Sequence, residues 1–110
     1  MFTEVKSFDE FLKLKEEPAL LAYFSTSACN VCKVLKPKVA ELVQSEFPNM
    51  KLAYIPSDVL PDVAAQNQVF AAPTILIFFE GREYIRKSRS IGIGELQREI
   101  DRPYSMIFSE

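Results

Sequence analysis

Two short, almost uninterrupted apolar runs constrain the fold of this chain more than any other feature. The run ALLAYFS covers Ala19 to Ser25, and the run TILIFFE covers Thr74 to Glu80. Both are too short for a comfortable helix, so both predict β-strands. ALLAYFS has no polar alternation that would give it a solvated face, which is typical of a strand in a parallel sheet covered by helices on both sides.

The remaining elements alternate along the chain. Further strands are predicted at Phe2 to Val5, at Met50 to Ile55 and in YIRKSRS, residues 84–90. Helices are predicted after Ser7, from about Cys32 to Phe47, within Asp58 to Gln68, and from Glu95 to Arg102. The order β-α-β-α-β-α-β-β-α implies parallel pairing in the first half and a hairpin near the end. We therefore predict an α/β fold with a mixed central β-sheet flanked by helices on both faces.

Local signals set several of the expected boundaries. Ser7, followed three residues later by Glu10, forms a capping box that starts the first helix. Pro37 falls inside the second helix and is expected to kink it, and Pro103 is expected to end the last one. The basic residues of YIRKSRS suit an edge strand, where they discourage pairing with other chains. The apolar tail from Tyr104 to Phe108 is assigned to no element.

Composition excludes several classes of function. Charged residues make up 25% of the 110-residue chain and the net charge is −2, so there is none of the basic excess that is typical of nucleic-acid binders. No apolar stretch reaches the length of a membrane span. The N-terminal segment carries acidic residues where a signal peptide would need an apolar core. We therefore expect a cytoplasmic protein, in a compartment that keeps thiols reduced.

The only two cysteines of the chain, Cys29 and Cys32, lie three residues apart in the segment SACNVC. The chain contains no histidine, so neither a histidine base nor a histidine metal ligand is available to assist them. The pair follows a buried strand and opens a helix, whose free N–H groups and dipole favour a thiolate and should lower the thiol pKa. We expect Cys29 to be exposed and to attack a disulfide, and Cys32 to be shielded and to resolve the mixed disulfide. Positive potential is added by Lys33, Lys36 and Lys38.

Other interpretations of a C-x-x-C pair remain open at this point. A structural zinc ion needs four ligands, and the chain has no second cysteine pair and no histidine. An iron–sulfur cluster would need the thiolates of two chains. The cysteines could also be inert, although a strand–helix junction is the kind of position that makes a thiol reactive.

With these elements in place, the chain resembles the thioredoxin family over nearly its whole length, as one domain covering residues 1–110. The family's helix-kinking proline is matched by Pro37, five residues after Cys32, and its glycines by Gly81 and Gly92. Its cis-proline segment is matched by Ala72-Pro73-Thr74, although a proline that merely starts a strand needs no cis bond. The resemblance implies that the residues next to the cysteine pair and the cis-proline bind the substrate chain. These residues are Ala28, Asn30, Val31, Ala72 and Pro73.

Departures from the family pattern concern the same site. The usual W-C-G-P-C is replaced by Ala28-Cys29-Asn30-Val31-Cys32, without the aromatic neighbour or the motif proline. The family's buried carboxylate is replaced by Tyr23, and its partner lysine by Tyr54. Tyr23 is a poor base near neutral pH, and we expect it to support the core with its hydroxyl hydrogen-bonded. Asp58 or solvent would then have to assist the resolving thiol.

The resemblance implies a thiol–disulfide oxidoreductase that reduces disulfide-bearing proteins. Exchange between dithiol and disulfide needs no cofactor, and the family's electron donors are a thioredoxin reductase or a small thiol. No nucleic-acid or membrane partner is expected. The alternative is a binding adaptor or redox sensor that has the same fold and little general reductase turnover, and the missing aromatic residue, proline and acid–lysine pair motivate it.

Overall fold

A computed structural model describes residues 1–109, so Glu110, the end of the predicted domain, lies outside the described residues. Within that range the chain forms five strands and four helices in the predicted order. The strands are β1 (Phe2–Glu4), β2 (Ala19–Ser25), β3 (Lys51–Pro56), β4 (Thr74–Phe79) and β5 (Arg82–Ser88). The helices are α1 (Phe8–Lys15), α2 (Asn30–Glu46), α3 (Pro61–Gln66) and α4 (Ile93–Phe108). No helix in this range is long and apolar enough to cross a membrane.

The strands form one mixed sheet in the order β1-β3-β2-β4-β5. β3 pairs in parallel with both β1 and β2, whereas β4 runs antiparallel to β2 and to β5. Every residue of β2 is buried, as expected for a central strand with helices on both faces. The predicted edge position of the basic strand is also confirmed, because β5 ends the sheet.

The alternating side chains of β2 supply two separate cores. Ala19, Leu21 and Tyr23 belong to the core beneath α2 and α4. Leu20, Ala22 and Phe24 belong to the core beneath α1 and α3. This two-residue period is the geometry of a strand, whose successive side chains point to opposite faces. The sheet therefore divides the molecule into two apolar layers, and the cysteine pair lies on the layer that contains Tyr23.

The start of α1 is confirmed as a capped N-terminus. The Ser7 side-chain oxygen accepts a hydrogen bond from the Glu10 backbone N–H at 3.1 Å. The Glu10 carboxylate in turn accepts from the Lys6 backbone N–H at 2.6 Å, one residue before the cap. One backbone donor of the first helical turn and one from the residue before the cap are therefore satisfied by side chains.

The prediction that the last helix stops before Pro103 is wrong, because α4 continues through this residue to Phe108. The proline removes one helical hydrogen bond, but the residues beyond it gain tertiary contacts. The Tyr104 ring packs against Phe47 with centroids 4.9 Å apart, and its hydroxyl accepts a hydrogen bond from the Asn49 N–H at 2.9 Å. Packing of this kind outweighs local propensity. The apolar tail from Tyr104 to Phe108, which the sequence assigned to no element, is therefore the last part of α4.

The turn between β4 and β5 explains one glycine that the sequence singled out. Gly81 has a φ of +82° and follows Glu80, which has a φ of +53°. Two successive positive φ values are typical of the tight turns that match the twist of a hairpin, and glycine adopts them most readily. The expected hairpin glycine is therefore confirmed.

Candidate active site

The cysteine pair lies at the junction between β2 and α2. Cys29 is the N-cap residue of α2, and its Sγ accepts a hydrogen bond from the Cys32 backbone N–H at 3.1 Å. The two residues form a disulfide, with Cα atoms 5.3 Å apart. The helix begins at Asn30, two residues earlier than expected, so Cys32 lies in its first turn. A sulfur at this position faces the unpaired N–H groups and the positive end of the helix dipole, which favours a thiolate.

The two sulfur-bearing residues differ in their access to solvent. Cys32 is only 1% exposed and belongs to the core beneath α2 and α4, as predicted. Cys29 was expected to be exposed, but it is partly buried and packs on the edge of the same core. The sequence could not show this burial, because it arises from segments that are distant along the chain. The exposed part of Cys29 lines a groove on the surface.

This groove, which we call the redox groove, has a volume of about 610 Å³. It brings together most of the residues that the sequence indicated as a site. The predicted residues that line it are Ala28, Cys29, Asn30, Val31, Ala72 and Pro73. The sequence did not indicate a second set, consisting of Thr26, Leu35, Arg89, Ser90 and Ile91. The other three predicted residues lie elsewhere, since Pro37 is on the exposed face of α2, and Cys32 and Tyr23 are in the core.

The wall opposite Cys29 is the segment that precedes β4. The Ala72–Pro73 peptide bond is cis, as the family resemblance implied. The Pro73 carbonyl accepts a hydrogen bond from the Arg89 N–H at 2.8 Å, and the Ala71 carbonyl accepts one from the Thr74 hydroxyl at 2.7 Å. Within residues 1–109, no hydrogen bond engages the backbone N–H or C=O of Ala72. An anchored loop therefore presents one backbone donor and one acceptor at the groove.

Tyr23 lies directly beneath the buried cysteine. Its hydroxyl donates a hydrogen bond to the Cys32 backbone carbonyl at 2.7 Å, so the expectation of a hydrogen-bonded core tyrosine is confirmed. Burial, together with the neighbouring Tyr54 hydroxyl, raises the pKa of Tyr23 to about 12. The phenol therefore stays protonated at neutral pH. It holds the backbone of the first turn of α2 and cannot serve as a base for the thiol.

Lys36 places its positive charge against an aromatic cluster. Its Nζ lies 4.0 Å from the centroid of the Tyr54 ring and 5.5 Å from that of Phe2. The Tyr54 ring stacks on Tyr23, with centroids 6.2 Å apart. Because Lys36 follows Cys32 by four residues, the two side chains share one face of α2. This lysine is thus fixed one turn below the buried cysteine, between the rings and solvent.

Asp58 anchors the loop that leads to the cysteine pair. Its carboxylate accepts hydrogen bonds from the Ser27 hydroxyl at 2.8 Å and from the Ser27 backbone N–H at 3.2 Å. These hydrogen bonds lower the pKa of Asp58 below its usual value. A carboxyl group with a lowered pKa is a weaker proton acceptor at neutral pH. The lowered pKa therefore argues against Asp58 as a base for the resolving thiol. The hydrogen bonds favour a role for Asp58 in holding the loop at Ser27 in place.

The donor set of the site consists of two thiols. Among the residues that the structure describes, no three His, Cys, Asp or Glu side chains come together in a way that could hold a metal ion. A four-ligand zinc site would therefore need donors from beyond the described residues of this chain.

Comparisons with known proteins agree with this geometry. The thioredoxin family model matches residues 1–102. The thioredoxin-like protein YdfQ of Bacillus subtilis is 31% identical over 97 residues, which are 88% of this chain and 86% of that protein. Thioredoxin-1 of Saccharomyces cerevisiae is 31% identical over 84 residues, covering 76% of this chain and 81% of the yeast protein. The structure of Fasciola hepatica thioredoxin superimposes with a TM-score of 0.81 at 26% identity, covering 93% of this chain and 98% of that one.

A mixed five-stranded sheet with a C-x-x-C pair at the start of a helix defines a thioredoxin-fold dithiol protein. The chain belongs to the thioredoxin family. With its cysteine pair at disulfide distance, it is a thiol–disulfide oxidoreductase. The predicted fold class and reaction class are both confirmed.

Proposed function

We propose that the protein reduces disulfides in other proteins, with Cys29 as the nucleophile and Cys32 as the resolving thiol. The Cys29 thiolate attacks one sulfur of the substrate disulfide and forms a mixed disulfide, while the other substrate sulfur leaves and takes up a proton. Cys32, as its thiolate, then attacks the Cys29 sulfur and releases the second substrate thiol. Two electrons pass to the substrate, and the Cys29–Cys32 disulfide is the oxidised product.

One observation carries this assignment of roles. Cys29 lines the redox groove, whereas Cys32 is 1% exposed and does not. A bulky protein disulfide can approach only the sulfur that faces the groove. The helix N-terminus favours the thiolate of Cys29, and the buried cysteine is one turn away, within reach of the mixed disulfide.

The walls of the redox groove support a polypeptide substrate. Ala72 offers a free backbone donor and acceptor beside Pro73, and these can pair with an extended chain in the manner of an added strand. Ala28, Asn30 and Val31 would contact the same chain from the other side of Cys29. Tyr23 and Pro37 act as structural support rather than as contacts.

Regeneration of the dithiol requires two electrons from another molecule. We propose that a thioredoxin reductase or a small thiol donates them, by analogy with the family to which the chain belongs. A reducing compartment, which we take to be the cytoplasm, would keep such a donor available.

Matched cysteine variants test the assignment of roles. We expect Cys29→Ser to abolish the reduction of insulin, and Cys32→Ser to accumulate a covalent adduct between Cys29 and the substrate that mass spectrometry detects. Circular dichroism of both variants shows whether the fold is kept. Full insulin reduction by Cys29→Ser would overturn the proposed roles.

The direction of electron flow is tested at equilibrium. The oxidised fraction of the cysteine pair is measured by thiol trapping in graded glutathione buffers. A transition near the thioredoxin value of about −270 mV supports a reductase. A transition about 50 mV or more higher indicates a glutaredoxin-like or oxidising role instead.

A binding adaptor or redox sensor is the second candidate function, and the environment of Cys32 favours it. The protonated Tyr23 occupies the position from which a carboxylate could have accepted a proton, so general turnover would be slow. Steady-state turnover with a generic protein disulfide separates the two functions. Fast turnover excludes the adaptor, and slow turnover with stoichiometric mixed-disulfide formation excludes the general reductase.

A further inference from the structure

Among the described residues that line the redox groove, Arg89 is the only charged one. It directly follows the end of β5, and the rest of the groove wall is apolar or polar without charge. The Arg89 side chain is exposed. None of the ion pairs found within residues 1–109 includes it. The groove that gives access to Cys29 therefore carries one positive charge without a counter-ion.

The backbone at Arg89 has a conformation that suits glycine better than arginine. Its φ is +66°, a region that residues with a Cβ adopt only at a cost. The other non-glycine residues with a positive φ are Gln68, beyond the end of α3, and Glu80, in the β4–β5 turn, and neither lines the redox groove. The hydrogen bond from the Arg89 N–H to the Pro73 carbonyl, at 2.8 Å, holds this conformation. Strained residues cluster at functional sites, so the strain directs attention to what the side chain does.

A second arginine of the same strand shows the contrast. Arg86 forms an ion pair with Glu83 at 2.8 Å, and it donates to the carbonyls of Asn67 and Gln68 at 2.8 and 3.1 Å. Its charge and its donors are thus used within the fold. The guanidinium of Arg89 has no ion-pair partner of this kind, so it is available to a bound molecule.

Acidic groups in this part of the molecule have other partners. Glu95 and Glu99 form ion pairs with Lys87, and Asp58 accepts two hydrogen bonds in the loop that leads to the cysteine pair. The net charge of the chain is −2, but at physiological ionic strength charges separated by more than about 8 Å are largely screened. A molecule in the redox groove therefore experiences the charge of Arg89 more strongly than the net charge.

We infer that Arg89 is a specificity-determining residue, which favours disulfides that carry a carboxylate close to the reactive sulfur. This inference rests on the proposed reduction of disulfides through Cys29. A guanidinium pairs with a carboxylate through two parallel N–H···O hydrogen bonds, a geometry that a lysine cannot offer. The carboxylate belongs either to an acidic side chain of a protein substrate or to a small acidic disulfide. Sulfur exchange itself follows the steps given above.

Paired peptide disulfides test this preference. Two otherwise identical peptide dimers are closed by one disulfide and carry either glutamate or glutamine next to the cysteine. The rate constant for oxidation of the reduced protein is measured by thiol trapping at low ionic strength, and is divided by the rate of the same peptide with dithiothreitol. We expect the unmodified protein to react about fivefold faster with the glutamate peptide, and Arg89→Gln to remove this preference. Arg89→Lys, which keeps the charge, should keep part of it.

A matched control separates the site from the net charge. Arg82→Gln removes the same charge at the other end of β5, outside the redox groove, and should leave the preference unchanged. In about 1 M sodium chloride, where the screening length is about 3 Å, the unmodified protein should lose most of the preference.

Two outcomes would overturn the inference. The first is that the unmodified protein reacts equally with both peptides. The second is that Arg89→Gln slows both reactions equally, which would mean that the residue only places the loop. Equal rates leave the proposed function intact, whereas a failure of both peptides to oxidise the protein rejects the proposed function and this inference with it.

A second pair of disulfides identifies the source of the carboxylate. Glutathione disulfide is compared with the disulfide of glutathione ethyl ester, in which the glycine carboxylate is masked. A preference for glutamate peptides alone supports protein substrates. A preference for unesterified glutathione disulfide that Arg89→Gln removes supports a small acidic disulfide. No preference in either pair rejects the role of Arg89.

Arg89→Gly gives an independent readout, because glycine adopts a positive φ without a clash of its side chain. We expect the urea midpoint of this variant to be at least that of the unmodified protein, while the preference for the glutamate peptide is lost. This result would show that the arginine serves recognition at the expense of backbone strain. A lower midpoint with the preference retained would show that Arg89 serves the fold, and would overturn the inference.

Discussion

The two cysteines are separated by one helical turn, yet their surroundings are opposite in character. Cys29 faces the redox groove, with free backbone groups of Ala72 across from it. Cys32 lies against the aromatic cluster of Phe2, Tyr23 and Tyr54, and its carbonyl is held by a buried hydroxyl. Cys29 therefore lies on a side of the site that a substrate can reach, which we call the groove side. Cys32 lies on a side that is packed against aromatic rings and stabilises the fold, which we call the cluster side. The predictions below test this contrast between the groove side and the cluster side.

The largest expected effect is on folding stability at the cluster side. Tyr23→Ala removes a completely buried ring from the central strand, and we expect the free energy of unfolding to fall by about 3–5 kcal/mol. Val31→Ala, on the groove side, truncates a side chain that is 61% exposed and should change it by less than about 0.5 kcal/mol. Urea unfolding of the oxidised proteins measures both. Similar losses from the two variants would refute the contrast.

Alkaline pH should weaken the same side of the site. The folded-state pKa of Tyr23 is about 12, above its ordinary value of 10.0, so the folded protein holds this proton more tightly than the unfolded chain. The contribution of the protonated Tyr23 to the free energy of unfolding is therefore present in full below pH 10, and it is lost as the pH rises towards 12. Unfolding midpoints measured across this range should fall more steeply in the unmodified protein than in Tyr23→Phe. Parallel curves would show that another group is responsible.

Tyr23→Phe should have a smaller effect at neutral pH. The ring and its packing remain, but the Cys32 carbonyl loses the hydroxyl that donates to it at 2.7 Å. We expect the free energy of unfolding to fall by about 1 kcal/mol, the usual net contribution of one hydrogen bond. Urea unfolding measures the change. A loss as large as that of Tyr23→Ala would mean that the hydroxyl, rather than the ring, dominates the cluster.

The smallest expected effect concerns Lys36. Lys36→Met keeps an apolar stem but removes the charge that lies 4.0 Å from the Tyr54 ring centroid. We expect the free energy of unfolding to fall by about 0.5–1 kcal/mol, as for a cation over an aromatic face near the surface. Lys33→Met, at an exposed position of the same helix, is the control. Equal changes in the two variants would show that the contact with the rings contributes nothing.

The sequence predicted the features that depend on neighbouring residues. The apolar runs at Ala19 and Thr74, the capping box at Ser7 and the position of the cysteine pair at a helix start are all local patterns. The structure confirms each of them. Resemblance to a family added the cis bond before Pro73, which the local pattern alone left open.

Features that depend on distant segments could not be predicted in this way. The Arg89 N–H reaches the Pro73 carbonyl from the end of β5, and this contact completes the wall of the redox groove. The partial burial of Cys29 and the hydrogen bond from Tyr23 to Cys32 also depend on contacts between different elements of the fold. The rule that a proline ends a helix failed at Pro103 because Tyr104 gains a partner on another element. An apolar tail directly after a proline was the signal that could have indicated this packing.

The strand order β1-β3-β2-β4-β5 has a consequence for how the protein is made on the ribosome. A growing chain that has emerged as far as Pro56 contains both cysteines and the three strands that pair in parallel. It still lacks β4, and therefore also Ala72 and Pro73. During this interval the thiols have no opposing wall, and one edge of β2 has no partner. The cysteine pair is thus synthesised well before the segment that completes the redox groove.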